Sequence, residues 1–369
     1  MGMVVKVSLV TCAILASATA AAFAQNNNEA ESVVDAVGQS SVDKDRVVGL
    51  SIGVAKGDQI LCVRGFGLAS VELNVPATAD TVYRIGSITK EFTSAVILLL
   101  VEGGRISLDD PLTKFLPDYP AHGSAVTIRQ LLHHTSGVKD FTRLPAYRKE
   151  MRNDVTPDEV LERFQNLPLN FPPGEQYRYC NSGYFLLGLV VERASGKSFR
   201  EFVEQRLFRK LGLAHTYCDA NSRVIPHRAA GYSRWTGVLR NAQYISLKQT
   251  VGAGNMSSTV GDLLLWQRGL FTHRVLRTES SRTLRTRGKL SNGKSINYGL
   301  GVVVRKLDGH EAVRHGGGIP GFRADVAYYP DSELTIAVLS NTEHANTARI
   351  SDRIARGLLP KSSKVRAGN

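Results

Sequence analysis

The strongest constraint in this chain is an apolar stretch from Ile88 to Val101 that stops at Gly103-Gly104. A glycine pair closing such a run predicts a helix end. The middle, Ala95 to Val101, is apolar all round, so the helix belongs at the centre of the protein and not on its surface. Residues at its first turn, Ser87 and Lys90 among them, are then held rigidly.

The segments on either side have different periods. Val47 to Ala55 and Ile60 to Gly65 are β-branched runs joined by Lys56-Gly57-Asp58-Gln59, the pattern of a hairpin. From about Asp109 to Gly288 the signals are mostly helical. Thr156-Pro157-Asp158-Glu159 carries a cap, a proline at the first helical position and a glutamate three residues after the cap. Helices are expected from Asn181 to Ala194, Phe199 to Leu211 and Thr259 to Leu270, the last with Thr259 and Asp262 spaced as a capping box. Tyr298 to Arg305, Glu311 to Arg314, Phe322 to Tyr329 and Leu334 to Ser340 then read as short strands, and Thr347 to Leu359 as a closing helix. Strands at both ends around a helical middle predict an α+β fold: an antiparallel sheet flanked by helices, built from both termini, with an inserted, mainly helical lobe. The expected boundaries are 46–108 and 289–359 for the α/β lobe and 109–288 for the helical lobe. A cleft between the lobes is the default place for a site.

Outside that body lie a polar leader at 25–45 and a basic tail at 360–369. Lys6, the apolar run Val7 to Ala22 and the ending Ala22-Phe23-Ala24 form a charged, apolar and small-x-small series, so residues 1–24 read as a removable signal peptide. The run is short for a membrane span. The chain is therefore expected to be periplasmic or secreted, with no stable membrane anchor after cleavage. Removing Cys12 with the signal leaves Cys62, Cys180 and Cys218, enough for at most one disulfide. The formal charge of +13 is dispersed and accompanied by no nucleic-acid-binding motif, so no nucleic-acid partner is expected.

No Gly-x-Ser-x-Gly elbow, His-Glu-x-x-His, Walker loop or Cys-x-x-Cys occurs. His133 and His134 are adjacent, hence on different sides of a helix and poor joint metal ligands. Besides Ser136 with Lys139, Ser-x-x-Lys occurs as Ser41 with Lys44, Ser87 with Lys90 and Ser291 with Lys294. Context separates them: Ser41 lies in the leader, Ser291 flanks an Asn292-Gly293 turn, and Ser87 heads the buried helix. A lysine at i+3 shares the serine's face. Desolvation can lower its pKa until it serves as the base a serine nucleophile needs, and free N–H groups at the helix start can meet an oxyanion. Ser87 can equally be an N-cap and Lys90 a solvated first-turn residue. Tyr179-Cys180-Asn181 offers a phenol for proton transfer and an amide for a substrate carbonyl, although Asn181 also suits a helix cap. His315-Gly316-Gly317-Gly318 closes a short strand, and its glycines allow a backbone to approach the strand edge.

In this order and spacing the motifs resemble the serine β-lactamase and penicillin-binding-protein superfamily, most closely the branch with class C β-lactamases, D-alanyl-D-alanine carboxypeptidases, D-aminopeptidases and related esterases. The similarity extends through Tyr83-Arg84-Ile85-Gly86-Ser87-Ile88-Thr89-Lys90, Leu131-Leu132-His133-His134-Thr135-Ser136-Gly137, Pro173-Gly174-Glu175-Gln176-Tyr177, Tyr179-Cys180-Asn181-Ser182-Gly183-Tyr184 and Tyr298-Gly299-Leu300-Gly301, covering roughly Asp45 to Leu359.

The resemblance implies a β-lactamase/transpeptidase-like fold and a serine hydrolase with no cofactor and no metal. Ser87 would form an acyl-enzyme, Lys90 and Tyr179 would share the proton transfers, and Asn181 would position the acyl side. The N–H groups of Ser87 and Gly318 would form the oxyanion hole. His315 and Gly317 stand where this superfamily often carries Lys-Thr-Gly, and the missing ammonium and hydroxyl weaken recognition of a carboxylate. Cys180 stands where serine is common. The implied substrate is an ester, a D-amino-acid peptide or a β-lactam, cell-wall material included. The competing reading is a protein that captures penicillin or cell-wall peptide without turnover.

Overall fold

The computed structural model describes Gln25 and residues 27–361; the signal peptide expected at 1–24 and most of the basic tail lie outside the described residues. Among the described residues twelve strands follow in chain order: β1 (Gly49–Lys56), β2 (Gln59–Ser70), β3 (Val75–Pro76), β4 (Tyr83–Arg84), β5 (Tyr217–Cys218), β6 (Tyr232–Trp235), β7 (Val238–Asn241), β8 (Met256–Ser258), β9 (Val303–Leu307), β10 (His310–Ile319), β11 (Phe322–Tyr329) and β12 (Leu334–Ser340). Seven form one antiparallel sheet in the order β3-β2-β1-β12-β11-β10-β9. The two ends of the chain meet where β1 pairs with β12, with Gly53 opposite Ala337. The strands β4, β8 and β5 form a separate small sheet, and β6 and β7 a hairpin.

Period-2 alternation decides which face of the sheet receives which layer. In β1 the large residues Leu50, Ile52 and Val54 face one way and pack with Ile336, Val338, Ile350 and Ile354. The last two come from the closing helix, Thr347–Leu358. The small residues Ser51, Gly53 and Ala55 face the other way, where the Val260–Phe271 helix comes so close that a Cβ on Gly53 would meet Leu264 at 3.0 Å.

The central helix is Thr89–Glu102, and every residue from Thr89 to Leu100 is buried. It lies beyond the sheet, against the Asn181–Ser195 helix. Phe92 stacks on Trp266 at 3.9 Å between ring centres, fastening it to the Val260–Phe271 helix. That helix, expected in the helical lobe, therefore packs on the sheet.

Three expectations change. The supposed leader is helical over 27–43 and buries Ala30, Val34 and Val37 in the outer core, with Ser41 Oγ bonded to Val37 O. Its apolar residues recur at helical spacing, and polar neighbours hide them from a reading by composition. Tyr298 to Arg305 is a strand only from Val303. Gly299-Leu300-Gly301 turns instead, with Gly301 at φ +77°. The Thr259 hydroxyl does accept from Asp262 N, but the Asp262 carboxylate accepts from His215 N and Thr216 Oγ1 and does not complete a capping box. The Thr156–Glu159 box, by contrast, is present in both directions. Cys62, Cys180 and Cys218 are all free and buried, within the limit of one disulfide that the sequence sets.

Val34→Asp, which forces a carboxylate against the outer face of the sheet, should lower stability by about 3 kcal/mol in urea titration. A change within a detached leader would leave the midpoint where it is.

Candidate active site

Ser87 lies in a single 3-10 turn, Gly86–Ile88, that runs directly into the central helix. The turn is pinned from below: Ile85 N donates to Met256 O at 2.9 Å, and β4 pairs with β8 through Arg84 and Ser257. Gly86 has φ +49°, the left-handed region that only glycine adopts at little cost. A Cβ there would stand 2.8 Å from Gly318 N, and one on Gly317 would stand 1.9 Å from Ile85 O. Two glycines thus bring β10 alongside the serine turn and leave the backbone edge of Gly318 next to it.

Lys90 is fully buried one turn later. Its Nζ lies 3.0 Å from Ser87 Oγ, 2.9 Å from Asn181 Oδ1 and 2.8 Å from Ala253 O. Burial lowers its pKa from the ordinary 10.5 to about 7, with Asp140 pulling weakly the other way. As a neutral amine Lys90 has two N–H bonds for Asn181 and Ala253 and one lone pair for the Ser87 hydroxyl. The neighbouring Glu91 supplies no counter-charge. Buried against Trp266 Nε1 and Gln267 Nε2, it is raised to about 8 by burial and stays protonated at neutral pH.

Tyr179 is half-buried, its ring centre 4.9 Å from Lys90 Nζ. Desolvation pushes the phenol well above its ordinary pKa while a bond to Ser87 opposes that, so Tyr179 is a neutral O–H donor. Asn181 is the first residue of its helix, and Cys180 holds the cap position without a side-chain bond. The Asn181 amide is instead stretched across the cleft floor, accepting from Lys90 and donating to Thr142 Oγ1 at 3.0 Å. Asp140 in turn accepts from the backbone N–H and hydroxyl of Thr142.

His315 departs from its expected role. It lies inside β10, which continues to Ile319, and not at a strand end. Its ring is buried and its pKa is lowered to about 3 by desolvation, with the nearby Lys90 adding to the effect. It is neutral and bonded to the Tyr298 hydroxyl at 2.9 Å, so it brings no cation to the cleft. The cleft beside Ser87 measures about 280 Å³ and is lined by Phe141, Tyr147, Ile245, Ile319 and Pro320 together with polar Thr142 and Thr250.

The structure thus gathers Ser87, Lys90, Tyr179, Asn181 and the Gly317-Gly318 edge around one cleft and puts His315 behind it. It leaves the Ser41 and Ser291 copies of Ser-x-x-Lys elsewhere. Sequence reasoning missed Ala253 O, Thr142 and Asp140. The first is a carbonyl, which no side-chain motif marks, and the others follow Ser136-Gly137 as ordinary loop residues. Among the described residues no group of three or more His, Cys, Asp or Glu is placed to hold a metal.

The beta-lactamase family model matches residues 32–360, so the chain belongs to that family. It is 29% identical to penicillin-binding protein 4* of Bacillus subtilis over 78% of this chain and 67% of that protein. It is 26% identical to the D-aminopeptidase of Gluconobacter oxydans over 82% of this chain and 57% of that one, so it spans about two thirds or less of these relatives' length. The crystal structure of a D-stereospecific amidohydrolase from Streptomyces sp. superposes with a TM-score of 0.77 at 27% identity, covering 88% of this chain and 98% of that chain.

Between pH 7 and the ordinary lysine range the unfolded chain keeps a proton that folded Lys90 has released, so Lys90 makes stability rise with pH across that window. Lys90→Met should therefore lose stability relative to the unaltered protein as pH rises from 7 to 10, by up to about 1.4 kcal/mol per pH unit. Paired denaturation curves at pH 7, 8.5 and 10 measure this; a pH-independent difference would mean that the amine is not desolvated.

Proposed function

We propose that this protein is an exported serine hydrolase that works through an acyl-enzyme on Ser87. The observation that carries the reading is the fully buried amine of Lys90, 3.0 Å from the Ser87 hydroxyl and held there by two further acceptors. Neutral Lys90 takes the hydroxyl proton as Ser87 Oγ attacks the acyl carbonyl. The N–H groups of Ser87 and Gly318 receive the oxyanion. Tyr179 passes its proton to the leaving group and is reprotonated from Lys90; the same pair then deprotonates the water that releases the acyl group. Asn181 holds Lys90 on one side and presents its amide to the acyl chain. Export rests on the charged, apolar and small-residue series of residues 1–24.

For the substrate, the neutral, inward-turned His315 and the bare Gly316 favour a leaving group without a carboxylate. Esters and D-amino-acid amides fit this better than D-alanyl-D-alanine peptides or β-lactams. The apolar lining from Phe141, Tyr147 and Ile319 suits an uncharged acyl chain. The D-aminopeptidase and D-stereospecific amidohydrolase similarities point the same way.

A p-nitrophenyl ester, a D-amino-acid amide, a chromogenic cephalosporin and a D-alanyl-D-alanine peptide should be turned over in about that order of efficiency. Ser87→Ala should abolish turnover of all four; unchanged turnover would sink the mechanism, and a stoichiometric burst without release would favour capture. A preference for the acidic substrates would point to Arg323, whose guanidinium lies against Gly318, as a counter-charge. Because the neutral amine is the working form, kcat/KM should rise with pH through about 7 and then level off. A profile flat from pH 5.5 to 8.5 would exclude Lys90 as the base.

A further inference from the structure

Behind the cleft, three side chains form a continuous hydrogen-bond chain. Cys180 N lies 3.1 Å from His134 Nδ1, His134 Nε2 lies 3.1 Å from the Tyr298 hydroxyl, that hydroxyl lies 2.9 Å from His315 Nε2, and His315 Nδ1 lies 2.6 Å from Gly316 O. All three side chains are buried.

The two ends determine every proton in between. A backbone N–H can only donate, so His134 Nδ1 accepts and its proton sits on Nε2. A carbonyl can only accept, so the His315 proton sits on Nδ1 and its Nε2 accepts. Tyr298 therefore accepts from His134 and donates to His315. Tyr184, the other buried phenol nearby, donates its own proton to Leu132 O and is hydrogen-bonded to the Tyr298 hydroxyl, so it can only share the Tyr298 proton with His315 and supplies none to the chain. Reversing the chain would set an N–H on His134 Nδ1 against the N–H of Cys180 and leave Gly316 O facing a bare nitrogen. The chain thus cannot shuttle protons; it can only hold.

What it holds is the two walls of the cleft. Cys180 sits between Tyr179 and Asn181, and Gly316 is two residues before Gly318. His134 grips the first wall three times: its carbonyl accepts from Arg178 N at 2.9 Å, its ring nitrogen accepts from Cys180 N, and its ring lies 4.2 Å from that of Tyr179. It does so from φ +60°, a left-handed conformation that a non-glycine residue keeps only when its surroundings demand it.

We propose that His134 and Tyr298 are positioning residues, which with His315 form an uncharged, one-directional strut that sets the distance between the Tyr179 phenol and the Gly318 N–H. Its effect on catalysis rests on the serine-hydrolase reading above; its existence does not. The test uses the full mature chain labelled with 15N-histidine. At pH 7 the unaltered protein should show two neutral imidazoles of opposite tautomer, Nε2–H for His134 and Nδ1–H for His315, identified by their loss in His134→Gln and His315→Gln. Tyr298→Phe keeps the ring but removes the central link; it should let both tautomers mix and lower kcat for a p-nitrophenyl ester by about 10- to 100-fold, with KM changed by less than about threefold. A charged imidazole at His134 or His315, or like tautomers at the two, in the unaltered protein would overturn the strut. Tautomers that mix in Tyr298→Phe without a fall in kcat would overturn its positioning role. Locked tautomers in a protein that never acylates Ser87 would instead leave the strut standing and remove the hydrolase reading.

Discussion

The Lys90 amine, sealed at the foot of the central helix, is the point on which the rest of the site depends. Taking an ammonium out of water is costly unless it is paired, and here the neighbouring acid is itself protonated. The group responds by giving up its proton near neutrality, which makes it a base. Each of its three contacts comes from a different part of the chain: Ser87 from the turn before the helix, Asn181 from the start of another helix, and Ala253 from the loop before β8. The Ala253 loop is held against the central helix by Thr93, whose hydroxyl donates to Gly252 O at 2.7 Å. Burial of one amine therefore draws together the central helix, the Asn181–Ser195 helix and the loop before β8.

The same desolvation accounts for the character of the whole cleft floor. Lys90, Glu91, Tyr179, His134 and His315 are all shifted toward their neutral forms, each with burial as the leading cause. A separate ionic network joins the sheet to the closing helix. There Arg314 bridges Asp325 and Asp352, and Arg305 shares Asp352, tying β9, β10 and β11 to the closing helix. That network anchors the strand just before His315, so β10 enters the cleft from a fixed point. A neutral floor with directional hydrogen bonds suits the proposed acyl transfer, in which the oxyanion and a protonated Lys90 appear together during the attack.

Much of this was legible from residue order. The buried helix, its glycine end, the Asn181 and Val260 helices and the β11 and β12 strands all follow from periodicity and turn chemistry, because those signals are local. The errors share one cause. The 27–43 helix looked like a leader because its apolar residues are sparse, and only a sheet face lying over them makes a helix of it. Tyr298 to Val302 looked like a strand because it is apolar, but the close approach of Gly301 to the Lys90 carbonyl turns the chain there. Asp262 was spaced for a capping box, yet the backbone of His215, far away in sequence, took its carboxylate.

His315 shows the division most clearly. The sequence alone determined that a histidine and three glycines stand where an ammonium and a hydroxyl are common in this family. It also determined which Ser-x-x-Lys heads a buried helix. Only the tertiary structure decided that the imidazole is neutral and turned toward Tyr298, and that His134, with no chemistry suggested by its own neighbours, completes a chain across the floor. A protonation state depends on how much water a group retains and on which donors and acceptors face it, and both are set by residues brought together from the whole length of the chain.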